Sequence, residues 1–172
     1  MSNPNERYQI AIHEAGHAVM SILLKGDISY VTIIESEEYY GLCKSKELIV
    51  DEYEFYSSYK DKDYNDYKRY IEQEIMINFS GPIAVGASEF PCVLHTNESV
   101  KKDIEDSIEL ALGIVGDVER VEGVLIELWG KAVGIIRKPL TQQQIKAVAD
   151  ALMKHKTLSG TEVRRIMGDV AK

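Results

Sequence analysis

Residues 13–17 read His13-Glu14-Ala15-Gly16-His17, and this short pattern sets conditions on the whole fold. Histidines four residues apart share one face on a helix, so the segment has to be helical for both imidazoles to reach one metal ion. Glu14, beside the first histidine, then stands where it can take a proton from water held by that ion. A catalytic zinc has three protein ligands and one open position. The chain must therefore carry a third ligand from a distant segment and pack it against this helix. The competing explanation, a helix whose two histidines merely sit near the core, sets no such condition.

The 172 residues are enough for one domain with a sizeable core, and 45% of them are apolar, as in ordinary globular proteins. A net charge of −8 gives no basic face for a phosphate backbone, so no nucleic-acid partner is expected. Cys43 and Cys92 are far apart and form no Cys-x-x-Cys pair, which predicts buried free thiols in a reducing compartment. No apolar run approaches the roughly 20 residues of a membrane span, and the first helix is too polar for a signal peptide. A cytoplasmic chain with no membrane partner is the expectation. A Walker-type phosphate loop is lacking, so ATP is not bound that way.

Asn3, Pro4 and Glu6 suit the start of the first helix, as N-cap, first helical residue and capping-box partner. Its apolar stripe is Ile12, Ala15, Val19, Ile22 and Leu23, and the stop is expected at Lys25-Gly26, with Gly26 left-handed. Gly16 weakens the helix interior, which predicts close approach by another backbone or by substrate. Ile28 to Ile34 is β-branched and aromatic and predicts a strand, with a second one near Gly41 to Lys44. Such a hairpin offers an edge to an extended peptide.

Residues 51–66 carry Tyr53, Phe55, Tyr56, Tyr59 and Tyr64 among many charges and no aliphatic side chain. A solvated surface excursion is expected there, with a substrate-contacting lid as the alternative. A helix over Tyr67 to Phe79 should break at Ser80-Gly81-Pro82, leaving a turn or two from Ile83 to Ala87, and a loop should cover Phe90 to Asn97. Thr96 or Asn97 can cap a helix running to Val115, followed by one from Val118 to Arg137. Thr141 and Gln144 read as a capping box opening a helix to Lys156, and Ser159 or Thr161 starts a last short helix. The expected fold is predominantly α-helical (α+β): one helical-bundle domain over residues 1–172, with a small hairpin after the first helix.

The third ligand is an acidic residue or histidine beyond residue 60. His95 qualifies, with Cys92 before it in Cys-x-x-His spacing, while His155 sits among lysines. Glu72, Glu74, Glu89, Asp103, Glu105 and Asp106 also lie in plausible places, and spacing does not choose between them.

A resemblance does choose. His13 to Ala18 reads His-Glu-Ala-Gly-His-Ala, the peptidase motif of the FtsH family of ATP-dependent zinc proteases. Val31-Thr32-Ile33-Ile34 and Gly41-Leu42 resemble that family's following strand and Leu-Gly turn. Ser80 to Val85 matches its Gly-Gly-Arg-Ala-Ala-Glu element only in part, with Ser80, Pro82 and Val85 replacing the first Gly, the Arg and the Glu. Lys102-Asp103-Ile104 to Ala111 is similar to the segment holding the family's third ligand, and Ala151 to Gly160 to its Leu-Leu-x-x-Glu-Thr-Leu-x-Gly stretch.

The resemblance implies zinc on His13, His17 and Asp103, Glu14 as catalytic base, and an FtsH peptidase-like fold. It implies a metalloendopeptidase acting on peptides or unfolded proteins, with substrate laid near Val31 to Ile34. Family members form hexameric rings, so a homo-oligomer is a candidate state. The family's ATPase module has no counterpart in these residues, which makes a separate ATPase a candidate partner. The alternative function is a zinc-binding regulatory or interaction module of the same fold without turnover.

Overall fold

A computed structural model describes residues 4–36, 39–45, 64–86 and 98–172. Asn3, Glu89, Cys92, His95, the 90–97 loop with its caps at Thr96 or Asn97, and the aromatics from Tyr53 to Tyr59 lie outside the described residues.

Among the described residues, six helices and three strands follow in the order α1 (Pro4–Leu23), β1 (Ile28–Thr32), β2 (Leu42–Ser45), α2 (Tyr64–Gly86), α3 (Glu98–Val115), α4 (Val118–Ile136), α5 (Pro139–His155), β3 (Thr157–Ser159) and α6 (Gly160–Val170). No described helix is long and apolar enough to cross a membrane.

The middle of α1 is buried on every side, without a gap from Ala11 to Ser21. α2 and α5 pack along it, and β1 and α6 complete the enclosure. A helix buried all round needs partners all round, and small residues at Ala11, Ala15, Gly16 and Ala18 let those neighbours come close. Of the apolar stripe read from the sequence, Ile12, Ala15 and Val19 are buried, Ile22 is half-buried and Leu23 is exposed, so the stripe describes only part of the buried surface. The polar residues His13, Glu14 and His17 are carried into the interior with the rest. At the other end, the Tyr8 hydroxyl donates to the Asp150 carboxylate at 2.9 Å and ties α1 to α5.

Gly16 is where α2 comes nearest. A Cβ there would lie 2.7 Å from the Ser80 carbonyl oxygen and 2.8 Å from the Ala84 Cβ, the close backbone approach expected of it. The expected break at Ser80-Gly81-Pro82 does not occur: α2 runs through it to Gly86, with Pro82 inside the helix. Proline removes one ladder hydrogen bond and crowds the preceding turn. Here Ile75 and Phe79 before it, and Ile83, Ala84 and Val85 after it, are all buried, and burial of both halves holds the helix together. The same helix begins at Tyr64 rather than Tyr67.

The sheet has the order β2-β1-β3, antiparallel throughout, with Val31 opposite both Cys43 and Leu158. The expected hairpin is present, but its first strand ends at Thr32 rather than Ile34. β3 was not expected, since three residues are too few for an alternating pattern. Lys156, with φ of 67°, turns the chain out of α5, and Leu158 is buried beneath the sheet. β1 is thus the central strand, and both its edges are occupied by the chain itself. An extended peptide cannot add along Val31 and Thr32.

Other boundaries differ for local reasons. Lys25, not Gly26, takes the left-handed conformation after α1. α5 starts two residues before Thr141, with Pro139 in the first turn and Lys138 at the cap, so the Thr141–Gln144 box does not form. Gln144 instead donates to the Met167 carbonyl at 3.1 Å, joining α5 to α6. The choice at the last helix falls on Ser159, where Ser159 and Glu162 make a reciprocal capping box.

Candidate metal centre

One helical turn separates His13 and His17, and the all-round burial of α1 points both into the gap between α1, α2 and α3. Their Nε2 atoms are 3.0 Å apart. Asp103, in the first turns of α3, brings Oδ2 to 3.1 Å from His13 Nε2 and 3.4 Å from His17 Nε2. Among the described residues this is the one cluster of histidine, cysteine and carboxylate donors suited to a metal ion. Ligand bonds of 2.0–2.1 Å in a tetrahedral zinc site put neighbouring donors about 3.3 Å apart. The three spacings therefore match one face of such a tetrahedron, leaving the fourth corner open.

The hydrogen-bond pattern suits ligation. His17 Nδ1–H donates to the Ile77 carbonyl at 2.8 Å, which fixes the ring and leaves Nε2 as the coordinating atom. Ile77 also accepts from the Ser80 hydroxyl, at the turn that Pro82 weakens. Asp103 Oδ2 is buried with only the two imidazole Nε2 atoms facing it, and the buried His13 Nδ1 has no hydrogen-bond partner among the described residues. A buried carboxylate oxygen faced by two imidazole nitrogens is strongly unfavourable unless a cation or proton lies between them. The donor set, two imidazoles and one carboxylate, suits zinc.

Electrostatics in the metal-free protein say the same. Burial pulls the His13 imidazole below its usual range, and Asp103 opposes this only in part. Burial would lower His17 too, but the hydrogen bond and charge of Asp103, then Glu14 and the Ile77 carbonyl, hold it up at about 9. Asp103 is drawn down to about 2, against burial, by the two histidines. The site thus keeps a carboxylate charged at its centre and shares cationic charge around it.

Glu14 does not join the donor cluster. It is 4% exposed, and burial pushes its carboxyl up to about 7, with Asp103 adding to the rise and His17 opposing it. A Cβ on Gly41 would lie 2.7 Å from both Cγ and Oε1 of Glu14, so the start of β2 rests on this side chain. Cys43, one step along β2, has its thiol pushed well above the usual range by burial and then by Glu14 and Glu74, and it does not supply a thiolate here.

Of the residues singled out from the sequence, His13, His17 and Asp103 come together and Glu14 lies beside them. Glu72, Glu74, Glu105, Asp106 and His155 are not in the cluster. Two positions went unnoticed as parts of the site. A Cβ on Gly81 would meet His17 Nε2 at 2.5 Å and His13 Cε1 at 2.8 Å, so only glycine leaves room for both rings. Gly41 has the same relation to Glu14. A glycine beside a proline inside an apolar helical run was the available signal for Gly81. Gly41 offered none beyond the Gly-Leu pair.

No family model and no curated protein matches the chain.

Proposed function

We propose that this chain is a zinc-dependent endopeptidase acting on peptides or unfolded protein segments. The observation that carries the reading is a three-donor cluster with spacings of 3.0, 3.1 and 3.4 Å beside a buried carboxyl held near neutral pKa. The resemblance of residues 13–18 to the FtsH peptidase motif supports it.

His13, His17 and Asp103 would hold the ion through Nε2, Nε2 and Oδ2. Zinc bound there would supply an acidified water and polarise a carbonyl. Glu14 accepts the water's proton on a carboxylate oxygen and then delivers it to the departing amide nitrogen. Burial of Glu14 opposes its ionisation and the cation would oppose that in turn, so the carboxyl would be able both to take the proton and to release it. The outer edge of β2 pairs with no other described strand and lies beside Glu14 through Gly41. It is the natural rail for an extended substrate, in place of β1.

Elemental analysis paired with cleavage of an unfolded protein such as reduced casein tests this. Wild type and Glu14→Gln should each carry one zinc, and the variant should lose about 100-fold or more of its activity. Equal activity of the two would exclude Glu14 as base.

A second reading, a zinc-binding regulatory or interaction module without turnover, is favoured by one observation. His13 and Glu14 are each 4% exposed and His17 8%, so the described residues leave access mainly past Asp103, whose side chain is 18% exposed. That reading expects the same zinc content and no cleavage.

A further inference from the structure

The outer face of α4 has a composition that nothing within the described chain explains. Ile126 is 65% exposed and Val118 76%, whereas Trp129, 38% exposed, turns its ring edge-to-face onto Phe79 of α2. Beside Ile126 on the same face stand Gly123, Gly130 and Gly134, and a Cβ on any of the three would meet nothing within 4 Å. Glycine weakens a helix interior more than any residue but proline. At Gly16 and Gly81 a packed neighbour demands it, whereas on this face no neighbour among the described residues does.

The residues fall into two adjacent rows at seven-residue spacing. One is Glu119, Ile126, Val133; the other, four residues on, is Gly123, Gly130, Arg137. If a second α4 is laid antiparallel across the face, the rows exchange. Ile126 of each helix lies over Gly130 of the other, Val133 over Gly123, and Glu119 opposite Arg137. A two-fold interface requires such reciprocity, each contact occurring twice. The ion pairs close both ends of the seam, and the glycines let the helix axes approach to the short end of the normal range. A parallel arrangement would set Glu119 beside Glu119 and leave Arg137 unpaired. On one flank, Glu127 and Lys131 already satisfy each other at 2.7 Å, so the seam stays apolar between its charged ends.

We propose that the chain self-associates as a two-fold dimer through antiparallel packing of α4 on α4. This does not rest on the peptidase reading and concerns a different element from the metal cluster. A nineteen-residue helix is about 28 Å long, and one helix pair buries less than the standard interface. Dissociation constants in the micromolar range are therefore expected.

Sedimentation equilibrium of the full chain across the micromolar range tests the proposal. Wild type should be dimeric at about 100 µM, and Gly130→Leu, which fills the hollow under Ile126, should be monomeric there. Because Gly130 is exposed and leucine favours helix, that variant's melting temperature at low concentration should not fall, which separates lost association from lost folding. Glu119→Arg should weaken the dimer at least tenfold, as should Arg137→Glu, and the double exchange should restore it. A wild type that stays monomeric, a Gly130→Leu dimer of wild-type affinity, or a double exchange no better than the singles would each overturn it.

Discussion

At the scale of single residues, the centre is defined as much by missing side chains as by ligands. Gly81 leaves α2 pressed against both imidazoles, so Gly81→Ala should lower zinc affinity by about 10-fold or more, a loss typical of disturbed ligand support. Helical content by circular dichroism should be unchanged, since alanine is the better helix former. Glu14 gives a pH-dependent expectation. In the metal-free protein burial raises its carboxyl from 4.5 to about 7. A carboxyl raised in the folded state favours folding below its unfolded pKa, and that contribution is lost as pH climbs through about 7. Glutamine stays neutral throughout. With both proteins stripped of metal, Glu14→Gln should therefore be more stable than wild type at pH 8, by about 1–3 kcal/mol, with little difference at pH 5. Equal thermal midpoints at pH 8 would mean Glu14 is not desolvated as described. Ligand identity was legible in His13, Glu14 and His17 because helical spacing carries it. Asp103 was not, because its role depends on the packing of α3 near α1 and spacing does not encode that packing; only the resemblance singled it out.

Among the elements, α1 and α2 show where pattern reading succeeds and where packing overrides it. Gly16 was readable as a contact point because a glycine in a helix interior has an energetic cost to justify. Replacing it with alanine sets a methyl group 2.7 Å from the Ser80 carbonyl oxygen and 2.8 Å from the Ala84 Cβ, and neither a helix backbone nor a Cβ can move alone. Gly16→Ala should therefore cost about 1–3 kcal/mol, seen as a lower urea midpoint with an unchanged slope. The break expected at Ser80-Gly81-Pro82 does not form because proline's local penalty, about 3 kcal/mol, is outweighed by the seven apolar side chains Ile71, Ile75, Met76, Phe79, Ile83, Ala84 and Val85 that α2 buries on either side of it. Each fully buried aliphatic or aromatic side chain contributes about 1.5–3 kcal/mol, so the continuous helix wins. β3 escaped for a different reason. Thr157, Leu158 and Ser159 become a strand only because β1 offers them an edge, a long-range fact that no window of sequence contains.

Over the whole molecule, the metal cluster joins parts that otherwise share little surface. α1 packs on α2 and α5, and α3 packs on α2 and α4, so the link from His13 and His17 to Asp103 ties α1 to α3 across α2. An ion bound there connects residues 13 and 103 in sequence, and binding to the folded state alone makes it a stabiliser by mass action. Free zinc at a thousand times its dissociation constant adds about 4.1 kcal/mol. For a chain of this size each kcal/mol moves the thermal midpoint by about 2–4 °C, so saturating zinc should raise it by about 8–16 °C over protein freed of metal by a chelator. Asp103→Asn keeps the size of the side chain and removes its charge. It should abolish most of that rise and also lower the chelated midpoint at neutral pH, because the carboxylate that holds the buried His17 charge is gone. The contrast between the two proteins, wild type gaining with zinc and the variant not, separates a metal clip from a general loss of stability. A zinc-dependent rise of equal size in both would place the ion elsewhere, and the chemistry assigned to Glu14 would go with it.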